Sequence, residues 1–68
     1  MDSIGEVMVS LRGEKSQAKV AADLGISISS LSMYENNQRI PRDEIKLLIA
    51  QYYGKTVQEI FFDPKVHS

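Results

Sequence analysis

The 68-residue chain has no cysteine, no tryptophan, two prolines and one histidine, and its net charge is −1. Without thiols there is no disulfide framework to stabilise a short secreted domain, no thiolate metal cluster and no cysteine nucleophile. The reducing cytoplasm is therefore the expected compartment. No apolar run approaches the about 18–20 residues that cross a bilayer. The opening Met-Asp-Ser-Ile-Gly-Glu lacks the basic start and apolar stretch of an export signal, so no membrane association is expected. There is no Gly-rich phosphate loop, and no small-molecule ligand is expected. His67 stands alone without a carboxylate cluster, and Asp63 is isolated; neither a metal site nor a cofactor is expected. A strong basic excess, which would point to nucleic acid by itself, is also missing. A chain of this size buries only about 60% of its unfolded surface. It must therefore rely on an efficient helical core or on self-association, and an enzyme active site is not expected on so small a scaffold.

What is present is helical periodicity. Ile4, Val7, Met8 and Leu11 follow the i, i+3, i+4, i+7 spacing of one buried face, which predicts a first helix over residues 2–12 ended by Gly13. Ser16 is a good N-cap for a second helix in which Val20, Ala21 and Leu24 face inward. Gly25 suits its left-handed C′ position. Ser27 caps a third helix, residues 28–36, with Leu31 and Tyr34 inward and Ile28, Ser29, Ser32 and Met33 on the other side. Two short helices joined by Gly-Ile-Ser must cross steeply, as in a helix-turn-helix. After a polar loop ending at Pro41, a fourth helix is predicted over residues 42–53, with Asp43 and Glu44 complementing its dipole. Its expected apolar stripe is Ile45, Leu48, Ile49 and Tyr52, and Gly54 stops it. Thr56 and Glu59 form a T-x-x-E capping box for a fifth helix through Phe62, with Val57, Ile60 and Phe61 buried. Tyr53 and Phe62 are expected to be partly exposed, with a dimer contact as one possible use. The fold class is thus all-α, a compact bundle of about five short helices. Residues 1–63 make one domain and 64–68 a flexible tail.

The stretch Ser16 to Pro41 reads SQAKVAADLGISISSLSMYENNQRIP. It resembles the helix-turn-helix of the phage repressor/Cro type, or XRE, family, whose fold is lambda-repressor-like. Ser16-Gln17 opens the second helix, Ala21 takes the small-residue position at the helix crossing and Gly25 is the turn glycine. Ile26 follows it, Leu31 is the core position of the recognition helix, and Tyr34-Glu35-Asn36 matches the L/Y-E-N signature. Arg39 and Pro41 fit the loop beyond. The resemblance extends from Ile4 to Phe62. The link Arg12-Gly13-Glu14-Lys15 is about two residues shorter than usual in the family, so Arg12 is either a phosphate ligand or an ion-pair partner for an acid such as Glu35, which the resemblance makes structural.

The resemblance implies a sequence-specific, DNA-binding transcriptional regulator, most simply a repressor. Such proteins are bacterial or phage-encoded and act on double-stranded DNA at the nucleoid. The second motif helix enters the major groove while the first crosses the backbone. The implied phosphate contacts are Gln17, Lys15, Lys19, Asn36, Arg39 and Arg42. The implied base-facing residues are Ser27, Ile28, Ser29, Ser32 and Met33, with packing as the alternative role for Ile28 and Met33. Between Lys15 and Lys46, five basic residues meet four acidic ones, a small positive excess. No Arg, Asn or Gln lies between Ile28 and Met33, so the bidentate pairings that identify guanine or adenine are missing. Hydroxyls and apolar groups against thymine methyls remain, and DNA shape can add to them. One short helix gives little affinity, so a homodimer on an inverted-repeat operator is expected. A protein-interaction module on the same fold, such as an antirepressor or antitoxin, is the alternative; the acidic balance and Arg-free third helix favour it.

Overall fold

The computed structural model describes residues 3–62, and within them five helices and no strand. They are α1 (Ile4–Arg12), α2 (Gln17–Leu24), α3 (Ile28–Glu35), α4 (Asp43–Tyr53) and α5 (Val57–Phe61). The expected tail at 64–68, with His67, lies outside the described residues.

Short helices need their end groups satisfied locally, because nucleation is costly. Ser3, Ser16, Ser27 and Thr56 each accept a backbone N–H through their side chain at α1, α2, α3 and α5. Ser3 with Glu6 and Thr56 with Glu59 are complete capping boxes. That cap starts α1 at Ile4 rather than at residue 2. In both boxes the reciprocal hydrogen bonds from the cap residue hold the glutamate below the usual carboxylate range. Gly25, with φ 74°, closes α2 in the left-handed conformation that residues with a Cβ rarely adopt. The α2–α3 turn is then only two further residues long.

The core consists of Met8, Val20, Leu31, Ile49, Ile60 and Phe61, all nearly inaccessible, together with Ala21, Leu24, Tyr34 and Ala50. Ile4, Val7, Leu11, Ile45 and Val57 pack against it while only partly buried. Ala21, placed by its small side chain at the helix crossing, is 1% exposed. The α4 stripe requires one correction. Ile45, Ile49 and Tyr52 pack on the core as expected, but Leu48 is 44% exposed and Ala50 is buried, with Tyr53 also packed against the core. A helix turns 100° per residue, and a 3–4 spacing leaves two ways to centre an apolar stripe. Contacts from α2 and α5 decide between them. Helices α3 and α5 also end one residue earlier than the periodicity suggests, at Glu35 and Phe61.

Two tight features tie α1 to the end of α3. Gly5 is buried, and a Cβ built there would run into the carbonyl group of Glu35. Asn37 takes a left-handed φ of 60°, which asparagine tolerates better than most residues. Its Oδ1 accepts from the Gly5 N–H at 2.9 Å, and its Nδ2 donates to Ser3 Oγ at 2.9 Å. The loop after α3 thus caps the start of α1. Gly5→Ala gains helix propensity but must push the two backbones apart. We expect a net loss of about 1–3 kcal/mol, read as a lower Tm in a thermal melt; an unchanged or higher Tm would contradict the close approach.

Tyr53 brings a hydroxyl into the interior with no hydrogen-bond partner among the described residues. Burial, helped by the nearby Glu35 carboxylate, pushes its pKa up to about 12. Because the folded value lies above the ordinary one near 10, the neutral phenol contributes stability that is complete below pH 10 and is lost as pH rises towards 12. Ultraviolet titration should therefore show a late phenol step that is missing in Tyr53→Phe. Removing an unsatisfied buried hydroxyl should leave Tm unchanged or raise it; a clear loss of stability would mean that the hydroxyl has a partner.

Candidate nucleic-acid interface

Helix α3 presents one face to the core and another outward. Leu31 and Tyr34 are buried, Ile28 is 51% exposed, Ser29 is exposed, and Ser32 and Met33 are half-exposed. The exposure of Ile28 rules out core packing as its role, whereas Met33 is partly covered. The serines are not equivalent. Ser27 Oγ accepts from the Ser30 backbone N–H at 3.0 Å and donates its proton to Ser30 Oγ at 2.9 Å. Its hydroxyl is engaged in capping. Ser32 Oγ accepts from Asn36 Nδ2 at 3.2 Å and keeps its own proton. The outward face of α3 therefore offers Ile28, Ser29, Ser32 and part of Met33.

The four basic residues expected at phosphates divide into two groups. Lys15 Nζ lies 3.3 Å from Tyr52 Oη and 4.7 Å from the centre of its ring. Lys19 Nζ pairs with Asp23 at 3.2 Å. Tyr52 Oη in turn donates to Asp23 at 2.6 Å. Hydrogen bonds from Tyr52 and then Lys19 hold the Asp23 carboxyl below its ordinary range. Lys15 and Lys19 thus belong to one acid-centred surface network linking α2 to α4. Arg39 and Arg42 differ: both are exposed and neither forms an ion pair among the described residues. They line an open groove with Ile26, Ser27, Ser30, Ile40 and the acidic Glu44, beside the start of α3. Arg42 is also the N-cap of α4 without a side-chain capping bond.

Gln17, Arg12 and Glu35 come together behind this surface. The Glu35 side chain is 2% exposed. Its Oε2 accepts from Arg12 Nε at 2.8 Å, and its Oε1 accepts from Arg12 Nη2 at 3.1 Å and from Gln17 Nε2 at 2.8 Å. Arg12 Nη1 donates to the Lys15 carbonyl at 2.8 Å. The shortened α1–α2 link is therefore fixed to the same guanidinium, and of the two roles open to Arg12 the ion pair is realised. The two-point hydrogen bond to Glu35 holds the Arg12 guanidinium above its already high ordinary value. Sequence reasoning missed Gly5, Asn37 and the Tyr52–Asp23 contact. Ser3-Ile4-Gly5-Glu6 carries the same S/T-x-x-E signal as Thr56–Glu59, but no local signal marks the long-range partners.

Taken together, a two-helix unit with a glycine turn and an exposed second helix defines a helix-turn-helix domain. The helix-turn-helix family model matches residues 11–60, and the chain belongs to that family, of the Cro/C1 (XRE) type. It is a DNA-binding regulator of that type. No curated protein and no solved structure matches the chain. Among the described residues no helix is long and apolar enough to cross a membrane.

Removing one partner of a buried ion pair leaves the other charge without compensation. Arg12→Met should cost about 3 kcal/mol, seen as a shift of the urea midpoint at constant m. A loss below about 0.5 kcal/mol would show that the pair behaves like an exposed surface bridge.

Proposed function

We propose that the chain is a repressor that binds an inverted-repeat operator as a homodimer, with α3 in the major groove of each half-site. The observation that carries this is the outward face of α3, with half-exposed Ile28 and the exposed Ser29 hydroxyl, flanked by two exposed arginines that form no ion pair among the described residues. Arg39 and Arg42 neutralise phosphates on one side of the groove. Gln17 and Asn36 supply uncharged phosphate contacts on either side of α3. Lys15 and Lys19 contribute less, because each must leave the Asp23–Tyr52 network to reach a phosphate. Base discrimination rests on Ile28 and Met33 against thymine methyls and on Ser29 and Ser32 against polar base edges. Ser27 serves as the cap that fixes the start of α3.

Homodimerisation follows from affinity. A near-neutral chain with Arg39 and Arg42 as the main phosphate ligands of each copy releases few counterions. Two copies spaced about 34–36 Å apart on one DNA face combine their contacts, and polymerase is excluded from the occupied site.

The experiment is a gel-shift titration against palindromes from the DNA adjoining the chain's own coding sequence, at several salt concentrations. Affinity should fall steeply with salt. Arg39→Ala or Arg42→Ala should weaken all sequences alike and lower the log–log slope by about 1 per half-site. Ser29→Ala and Met33→Ala should instead change the preference among operators by about 1–3 kcal/mol per affected base pair. No binding at micromolar protein and low salt would overturn the proposal. It would leave a protein-interaction module, which the net charge of −1 and the Arg-free α3 would then favour.

A further inference from the structure

We propose that Glu35 is a positioning residue for DNA binding, acting through Gln17. The inference rests on the functional reading above and adds a role for a residue that touches no DNA. A primary amide nitrogen carries two hydrogens. One hydrogen of Gln17 Nε2 is held by Glu35 Oε1 at 2.8 Å. The second hydrogen and the amide oxygen stay available on a side chain that is half-buried at the first turn of α2.

The anchor is rigid for identifiable reasons. Glu35 is fixed by two bonds from Arg12, and Arg12 by a third to the Lys15 carbonyl. Glu35 is also the last residue of α3. The amide that grips the backbone and the helix that reads bases are therefore referenced to one carboxylate. A glutamine side chain ordinarily loses much rotamer freedom on binding. Here that loss occurs on folding, so the phosphate contact forms from a prearranged donor. A glutamine in place of Glu35 keeps the shape. It presents a weaker, neutral acceptor to two donors, and its own amide N–H groups face Arg12. Gln17 should then be released.

The test is a double-mutant cycle of operator affinity using the wild-type chain, Gln17→Ala, Glu35→Gln and the double variant, each confirmed as folded by circular dichroism at the assay temperature. A residue acting through another shows non-additivity. Glu35→Gln should weaken the wild-type chain by about tenfold, the scale of immobilising one such side chain in each of two half-sites. In the Gln17→Ala background it should have an effect of less than about twofold. Equal losses in both backgrounds, or no loss from Gln17→Ala, would overturn the inference while leaving the α3 reading intact. Absence of DNA binding by the wild-type chain would overturn the functional reading and this inference with it. Should Glu35→Gln fail to fold, NMR relaxation of the side-chain amides in the free wild-type chain still decides. The Gln17 amide should be ordered like the backbone, and the exposed Gln51 and Gln58 amides mobile. A Gln17 amide as mobile as theirs would overturn the inference.

Discussion

A carboxylate shut away from water in a 68-residue chain is the constraint on which the rest of this structure depends. Glu35 sits at the C-terminal end of α3, where the helix dipole disfavours negative charge. Burial disfavours it further. It is tolerated because Arg12 meets it at two points and Gln17 at a third. Those partners come from α1 and from the first turn of α2, so satisfying one charge fixes three helices relative to one another. The backbone of Glu35 imposes a second condition, since its carbonyl approaches α1 so closely that only glycine fits at position 5. The carboxylate contributes little net stability compared with an apolar replacement. It holds the recognition helix at one angle and register.

The apolar core is conventional beside this cluster, and most of it was legible in the sequence. The spacing of Val20, Ala21, Leu24, Leu31 and Tyr34 dictated α2, the turn and α3, because each of those helices is short, carries its core residues at helical spacing and has a serine at its start. Thr56–Glu59 did the same for α5. Legibility failed at α4, where Ile45, Leu48, Ile49 and Tyr52 and the observed inner face are both consistent with helical periodicity. The choice lies in how α2 and α5 pack, and Leu48 ended outside. It failed also for Gly5 and Asn37. A buried glycine and a left-handed asparagine are consequences of a contact across more than thirty residues of sequence, and nothing near either residue announces it.

The interface was legible as a surface but not as a ranking. Family resemblance and charge put Lys15, Lys19, Arg39 and Arg42 on equal terms. The folded chain separates them, because Asp23 and Tyr52 draw the two lysines into a network while the arginines beside α3 form no ion pair among the described residues, with Glu44 lining the same groove. The near-neutral balance of the chain therefore hides a local asymmetry. Two exposed arginines without an ion pair among the described residues lie at one edge of α3, and the hydroxyl and apolar groups that can read bases lie next to them.

The most direct test of this account is an amide chemical-shift map of the isotope-labelled chain titrated with operator DNA. The account predicts that the largest changes fall on Gln17, on residues 27–33 and on residues 36–42, with the α4–α5 surface around Leu47 and Val57 unaffected by contact with DNA. Changes centred on that α4–α5 surface, with α3 silent, would contradict it.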